Sequence, residues 1–434
     1  MEIPYTKHTL ANGLDVIVHE DHRLPMVAVN VWYHVGSKNE RPGRTGFAHL
    51  FEHLMFEGSA HHNHGFFAPL QEAGALLNGS TNADRTNYWE VVPTGALDLA
   101  LWMESDRMGY LLPAVTEARF ETQRDVVLNE RRQNYENRPY GLAGMAIAAA
   151  LYPPDHPYHW LTIGAPDDLR AATLDEVHAF FRAYYHPANA SLSLAGDIDA
   201  ARGVELAEHY FGEIPAGPAV NQPAPDLPPL AESRLVLEDR VELPRLYLVW
   251  RSPAMFEPED AELDLAADLI GHGKSSRLYK TLVYEQRIAT DVSAFQSSRE
   301  IGGAFQVTAT AAPGVSLAAL ESVITRTLAD VADGGPTAAE LARAAAQTES
   351  QFLYRLQTIG GFGGKSDQLN AYNVFRDDPG WFGHDRQRYE AATPAGIQAA
   401  VGRWVVGQPR VALSVVPRAS RALALEGSTE VRVS

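Results

Sequence analysis

The chain has 434 residues, 45% hydrophobic and 21% charged, which excludes a disordered protein and allows two or three domains with their own cores. Acidic residues outnumber basic ones by 54 to 36, so the formal charge is -18 and nucleic acid is not an expected partner. The absence of cysteine excludes thiol catalysis, disulfides and cysteine-ligated zinc.

Membrane and targeting signals are not found in the sequence. No apolar run approaches the roughly 20 residues that a membrane span needs. The first residues do not form a charged and then apolar leader. We therefore expect a cytoplasmic location for the chain as given, and a periplasmic one if a leader has been removed.

The first predicted elements are a strand over Val27–Val35 and an apolar helix around residues 49–53, His-Leu-Phe-Glu-His. His49 and His53 are four residues apart, so both imidazoles lie on one helix face and can bind one metal ion. Glu52 lies beside them and can reach a water on that metal. The order of these residues is the reverse of the commoner zinc peptidase motif. Burying two histidines and a glutamate among apolar neighbours would cost free energy if these polar groups had no binding partner. A metal site is therefore favoured over two solvated histidines.

A later helix, opened by Thr116, supplies candidates for a third ligand. Catalytic zinc usually takes three protein ligands and keeps one position for water. Without cysteine, the third ligand is a carboxylate or another histidine. Glu130 is the preferred candidate, because Val126 and Val127 one turn earlier make its helix face partly apolar. Composition alone does not exclude three other acidic residues: Glu121, Asp125 and Glu136.

Helix starts farther along the chain are marked by capping residues. Thr173 with Glu176, and Thr337 with Glu340, have the spacing of a capping box. Thr393 precedes a proline at a first-turn position. These signals predict helices beginning just after each threonine.

A proline-rich segment, residues 214–231, divides the chain near its middle and predicts an extended linker. The predicted domains are therefore 1–213, which carries the metal-binding motif, and 232–434, which does not. A glycine-rich segment, Gly360–Gly364, is predicted to be a mobile loop or hinge, since no phosphate-binding signature flanks it. Its role is not assigned.

The two halves share a plan. The strand predicted at Leu246–Trp250 corresponds to the one at Val27–Val35, and Ser191–Leu194 corresponds to Val411–Ser414 at nearly the same offset. This self-similarity indicates a duplicated domain. Strands occur in runs with long helices between them, which favours α+β layers. We predict two homologous domains, each a mostly antiparallel or mixed sheet covered by helices.

These residues together resemble the pitrilysin/insulinase family of inverted zinc peptidases, which includes the mitochondrial processing peptidases. The resemblance runs over nearly the whole chain. It is carried by these segments: His49–His53, Gln123–Glu130, His156–Tyr158, Ile163–Gly164, Tyr184–Asn189, Gly196–Asp197 and Ser275–Tyr279.

The resemblance implies one zinc ion per chain, held by His49, His53 and Glu130, with Glu52 as the general base. It implies a processing-peptidase-like fold of two homologous domains. Family members enclose peptides between two such units, which face each other like a clam shell. The implied activity is that of a zinc endopeptidase subunit that hydrolyses unfolded peptides.

The resemblance also implies a substrate-binding strand. The strand holding Asn78 to Tyr88 is similar to the edge strand on which family members lay the peptide by backbone pairing. Asn78 is therefore expected to contact the substrate.

Two positions depart from the family pattern. The family often has a glutamate seven residues before the third ligand, where this chain has Gln123, which can support Glu130 by hydrogen bonding but cannot act as an acid. In the second half, Arg277 matches an arginine that holds the substrate, but Thr290 stands where a tyrosine is expected. We therefore expect a homologous partner subunit that supplies an arginine–tyrosine pair, with a homodimer as the alternative.

Two other functions remain compatible with the sequence. One is a non-catalytic core or scaffold subunit, which the intact metal-binding motif disfavours. The other is a zinc-dependent small-molecule or transport module, which Arg277 disfavours.

Overall fold

A computed structural model describes residues 2–433. Its strands are β1 Thr6–Thr9, β2 Asp15–Glu20, β3 Met26–Tyr33, β4 Leu76–Thr81, β5 Thr86–Pro93, β6 Ala190–Gly196, β7 Ser233–Asp239, β8 Arg245–Ser252, β9 Ala289–Ser297, β10 Gly303–Ala311, β11 Val411–Pro417 and β12 Thr429–Glu430. Its α-helices are α1 Phe47–Leu54, α2 Phe67–Glu72, α3 Leu97–Tyr110, α4 Glu117–Arg131, α5 Ala143–Leu151, α6 Pro166–Ala171, α7 Leu174–Tyr184, α8 Ala200–Phe211, α9 Asp260–Gly271, α10 Leu317–Gly334, α11 Ala338–Arg355, α12 Lys365–Arg376, α13 Phe382–Glu390 and α14 Pro394–Trp404.

The strands form two six-stranded sheets that match in five strands and differ in the first, because β1 pairs antiparallel with β2 whereas β12 pairs in parallel with β7. The first has the order β1-β2-β6-β3-β5-β4 and the second the order β12-β7-β11-β8-β10-β9. In each sheet the third strand pairs in parallel with the second and antiparallel with the fourth. The predicted fold class, two related α+β halves with mixed sheets, is confirmed. The last strand of each order, β4 or β9, lies at a sheet edge.

The two halves of the sequence exchange one helix each. Helix α5, from the first half, packs on β11 and β8, whereas α12, from the second half, packs on β6 and β3. One compact unit therefore runs to Asn129 and adds residues 161–223 and 351–384. The other takes 130–160, 224–350 and the chain from Asp385 onward. The sequence-based division into 1–213, a 214–231 linker and 232–434 stays a prediction about the duplicated halves.

Local signals in the sequence correspond to the observed element boundaries. Thr173 accepts a hydrogen bond from the Glu176 N–H at the start of α7, and Thr337 and Glu340 form the equivalent box at α11. The predicted strands at residues 27–35 and 246–250 are β3 and β8. Residues 215–232 form neither helix nor strand. Within residues 2–433, no helix is long and apolar enough to cross a membrane.

The segment from Asn78 to Tyr88, predicted as one strand, is a hairpin. Strands β4 and β5 pair antiparallel and are joined by a turn, in which Asn82 Oδ1 accepts hydrogen bonds from the N–H groups of Asp84 and Arg85 at 2.8 and 2.9 Å. This side-chain-to-backbone pattern favours a turn over a continuing strand. The edge strand is therefore β4 alone.

Candidate metal centre and active site

Helix α1 carries the histidine motif and is held by contacts at its N-terminus and on its buried face. Its N-cap, Gly46, has φ of 90°, a left-handed conformation that glycine adopts without strain. The Glu40 carboxylate accepts hydrogen bonds from the N–H groups of Gly46 and Ala48 at 3.0 and 2.9 Å. Phe51 is fully buried and stacks on Phe180. The half-buried motif residues His49, Glu52 and His53 lie on the other side of α1.

His49 and His53 lie side by side on that face. Both are half-buried, and their ring centroids are 4.9 Å apart with nearly perpendicular planes. One ligand atom from each histidine and one from Glu130 all lie within 4.8 Å of one another. Zinc bonds to such ligands are about 2.0–2.2 Å long, so two ligand atoms of one ion lie at most about 4.4 Å apart, which is close to the spacing found here. Two histidines and one carboxylate are also a known ligand set of catalytic zinc.

Glu130 comes from the last turn of α4. Helix α4 is continuous from Glu117 to Arg131. Asn134 Nδ2 donates a hydrogen bond to Glu130 Oε1 at 3.2 Å. Asn134 lies in a π-helical turn that extends α4, and such turns are frequent at functional sites.

The other three acidic candidates do not join this cluster. Glu121, Asp125 and Glu136 are exposed to solvent. Glu136 forms an ion pair with Arg131 at 3.0 Å. Asn134 was not predicted from the sequence, although its position four residues after Glu130 would have indicated a contact on one helix face.

Glu52 is half-buried on the same helix, one residue before His53. Chiefly because of burial, and in part because of the negative charge of Glu52, the pKa values of Tyr88 and Tyr185 are raised. These hydroxyls therefore stay neutral near Glu52. Helix periodicity places Glu52, three residues after His49, on the same side of α1 as that histidine.

Gln123 links α4 to the segment that follows α1. Its side chain is 8% exposed, and Nε2 donates a hydrogen bond to Glu57 Oε1 at 2.8 Å. Gln123 lies two turns before Glu130, and Glu57 lies four residues after His53. The hydrogen bond between Gln123 and Glu57 therefore joins helix α4 to the segment that follows α1, close in sequence to the candidate ligands. Glu57 was not singled out from the sequence, and its i,i+4 relation to His53 was the available signal.

Replacement of Gln123 by glutamate should destabilise the protein at neutral pH. A buried and a half-buried carboxylate would lie about 2.8 Å apart, and like charges raise each other's pKa values and weaken folding by about 1 to 2 kcal/mol. Because the folded-state pKa is raised, the loss is largest at high pH and is relieved as the pH falls and one carboxyl takes a proton. Thermal unfolding at pH 7.5 and pH 5 checks this.

Gln123→Met is the matched control, because it removes the hydrogen bond without adding charge. Its loss of stability should be nearly independent of pH in this range. Equal pH dependence of the two variants would contradict the proposed contact.

Asn78 lies on the edge strand β4 and is exposed. Its Oδ1 accepts a hydrogen bond from the Gly79 N–H at 2.8 Å. A Cβ on Gly79 would lie 2.9 Å from the Tyr88 ring and 3.0 Å from the Phe56 ring, so only glycine permits this approach. Strand β4 therefore passes close to the end of the motif helix. The substrate contact of Asn78 stays a prediction.

Arg277 is engaged within its own unit. Its guanidinium forms two hydrogen bonds of 2.8 Å with the Glu340 carboxylate and a third with the Gly335 carbonyl at 3.1 Å. The hydrogen bonds from Arg277 lower the pKa of Glu340 to about 2. Thr290, on the edge strand β9, directs its hydroxyl to the Thr310 carbonyl at 3.4 Å. Arg277 therefore has a structural role in joining residues 335 and 340 to its own segment. Its assignment to substrate binding stays a prediction.

Arg277→Ala and Glu340→Ala should each lower the free energy of unfolding, with a coupling energy of about 1 kcal/mol in a double-mutant cycle. Since the folded-state pKa of Glu340 is lowered, the coupling is complete above about pH 4.5 and disappears as the pH falls through about 2. Denaturant unfolding at pH 7 and pH 3 measures it. Strictly additive single variants at pH 7 would contradict a stabilising pair.

Two protein-family models match the chain. Residues 15–154 match the model described as insulinase (peptidase family M16), and residues 171–348 match the one described as peptidase M16 inactive domain. The three clustered ligand candidates all lie in the first matched region.

Similar proteins and solved structures point the same way. The zinc protease PqqE of Helicobacter pylori is 31% identical over 389 residues, which cover 87% of this chain and 85% of the relative. A crystal structure of a protease from Helicobacter pylori matches with a TM-score of 0.88 and 27% identity, covering 96% of this chain and all of that one. A peptidase M16 inactive domain from Pseudomonas fluorescens has a TM-score of 0.82 at 19% identity, covering 95% and 98%, and supports the fold alone.

Proposed function

Because the chain belongs to the pitrilysin/insulinase family (peptidase family M16), we propose that it is the zinc-bearing subunit of an endopeptidase that hydrolyses unfolded peptides. The observation that carries the proposal is the convergence of ligand atoms of His49, His53 and Glu130 within 4.8 Å of one another. Glu52, on the same helix face, completes the set of groups that peptide hydrolysis needs.

The chemistry is divided between the metal and the chain. His49, His53 and Glu130 would hold the zinc ion, which would supply Lewis-acid activation of a carbonyl and of water. Glu52 accepts a proton from the attacking water and returns it to the leaving amine. Gln123, Glu57 and Asn134 position the ligand-bearing elements through the hydrogen bonds described above.

Substrate form follows from the free edge of β4. Within residues 2–433, β4 pairs with β5 on one side and with no strand on the other. An extended peptide can add to such an edge by backbone hydrogen bonding, which requires the substrate segment to be extended. Enclosure of this edge in a clam-shell chamber would limit substrates further to unfolded chains.

A non-catalytic core subunit is the second candidate. The match of residues 171–348 to a model described as an inactive domain favours it. That match, however, covers a region without any of the three proposed zinc ligands. A scaffold has no need of Glu52, so the complete set of groups favours the enzyme.

Elemental analysis and a quenched-fluorescence peptide assay separate the two candidates. We expect about one zinc per chain, and hydrolysis of unfolded peptides that a chelator abolishes and added zinc restores. A fully zinc-loaded chain that hydrolyses no peptide, alone or with its partner, would support the scaffold instead.

The partner of this subunit is proposed to be a homologous chain. Thr290 stands where a tyrosine is expected, and Arg277 is hydrogen-bonded to Glu340. The chain by itself therefore lacks a complete arginine–tyrosine pair for binding the substrate. A homologue that supplies an arginine–tyrosine pair would complete it. Turnover by the zinc-loaded chain should be low and should rise when a co-encoded homologue is added. Full activity as a homodimer would refute the heterodimer.

A further inference from the structure

An open, mainly apolar pocket lies beside strand β4 in the first compact unit. Its volume is about 540 Å³. Its lining includes Leu24, Leu76, Trp89 and Val91, residues 357–361 with the start of the glycine-rich loop, and the ion-paired Asp21 and Arg23. Leu24 and Leu76 are 67% and 70% exposed and lie in the same pocket lining, so they form part of one exposed apolar patch.

The glycine-rich loop forms the wall of the pocket because it lies flat on the sheet. A Cβ on Gly360 would fall 2.6 Å from Val91 and 2.7 Å from Ala28, so a larger residue would push the loop away. Phe362 packs edge-on against Trp89, with ring centroids 5.5 Å apart. The loop is therefore held against β3 and β5.

Asp367, at the start of α12, anchors this loop. Its carboxylate accepts hydrogen bonds from Trp32 Nε1 at 2.9 Å, from Asn87 Nδ2 at 3.1 Å and from the Gly363 N–H at 2.7 Å. Asn30 Nδ2 donates a fourth hydrogen bond at 3.3 Å, and four donors on one buried carboxylate fix the loop to the sheet face. The pocket is thus preformed by the fold.

The pocket and the motif helix lie on opposite faces of the same strand pair. Leu76 is paired with Val91 and faces the pocket, whereas Gly79 is paired with Tyr88 and contacts Phe56, three residues after His53. Side chains alternate between the faces of a sheet. A peptide added to the free edge of β4 would direct alternate side chains to the metal face and to the pocket face.

We propose that this pocket binds one apolar side chain, aliphatic or aromatic, of the substrate peptide. Leu76 and Gly79 are three residues apart, about 10 Å along a strand. The side chain in the pocket therefore belongs to a residue within about four positions of the bond that is cut. This inference rests on the proposed function, and it assigns the glycine-rich loop a role in side-chain specificity.

The test uses zinc-loaded chain, with its partner subunit if activity requires it, and quenched peptides. Each position around the cleaved bond carries Leu, Phe, Asp or Lys in turn. We expect one position at which Phe or Leu is preferred over Asp by at least about 10-fold in kcat/KM. Leu76→Asp and Leu24→Asp should remove this preference and favour Lys at the same position. Leu423→Asp, at a leucine 45% exposed in the second unit, is the matched control and should leave the preference unchanged.

Two outcomes separate the pocket from the enzymatic function. An undiminished preference in both Leu76→Asp and Leu24→Asp would overturn the pocket while leaving the peptidase intact. Binding of labelled peptides to the zinc-loaded Glu52→Gln chain, followed by fluorescence anisotropy, reports the pocket without catalysis. Equal affinities for the Phe and Asp peptides there would overturn the pocket, whereas a wild-type chain that cleaves nothing would refute the proposed function.

Discussion

Glu52→Gln should reduce peptide hydrolysis by at least about 100-fold, the lower range for loss of a general base. Glutamine has the shape of glutamate but does not accept a proton at neutral pH. Glu52 is not one of the three clustered ligand candidates, so zinc content should stay at the wild-type level. Single-turnover hydrolysis of a quenched peptide and elemental analysis of the same preparation measure both quantities.

Glu121→Gln is the matched control, since it makes the same chemical change at an exposed carboxylate outside the cluster. It should retain wild-type hydrolysis. If Glu52→Gln cleaved peptides at nearly the wild-type rate, with contaminating protease excluded, Glu52 would not be the base.

His49→Ala and Glu130→Gln should each weaken zinc binding by more than about 100-fold, the upper end of the effect of losing a supporting residue. Each variant leaves two protein ligands, and hydrolysis should fall with the zinc content. Competition with a chromogenic chelator measures the affinity independently of activity. Glu130→Gln retains the side-chain volume, so circular dichroism should show unchanged helix content.

Asp125→Asn serves as the control on the same helix, because Asp125 is exposed and outside the cluster. Its zinc affinity should equal that of the wild type. Full zinc occupancy in both His49→Ala and Glu130→Gln would show that the metal is bound elsewhere.

The sequence by itself determined the features that depend on neighbouring residues. The i,i+4 spacing of His49 and His53 places both rings on one face of α1, because one helical turn has 3.6 residues. Thr173 and Thr337 mark helix starts through hydrogen bonds to residues three positions on. The shared plan of the two halves was visible in their spacing and corresponds to two sheets that have five strands in the same order.

The tertiary structure decided which distant residues meet. Four carboxylates were open as the third ligand, and the approach of α4 to α1 brings Glu130 among the histidines while the other three remain exposed. Helices α5 and α12 likewise pack on the sheet formed mainly by the other half of the sequence. Gly360 lies against Val91 and Ala28, which are far from it in sequence. Such contacts follow from the packing of whole elements, because helix periodicity fixes the direction of a side chain but not the element that it faces.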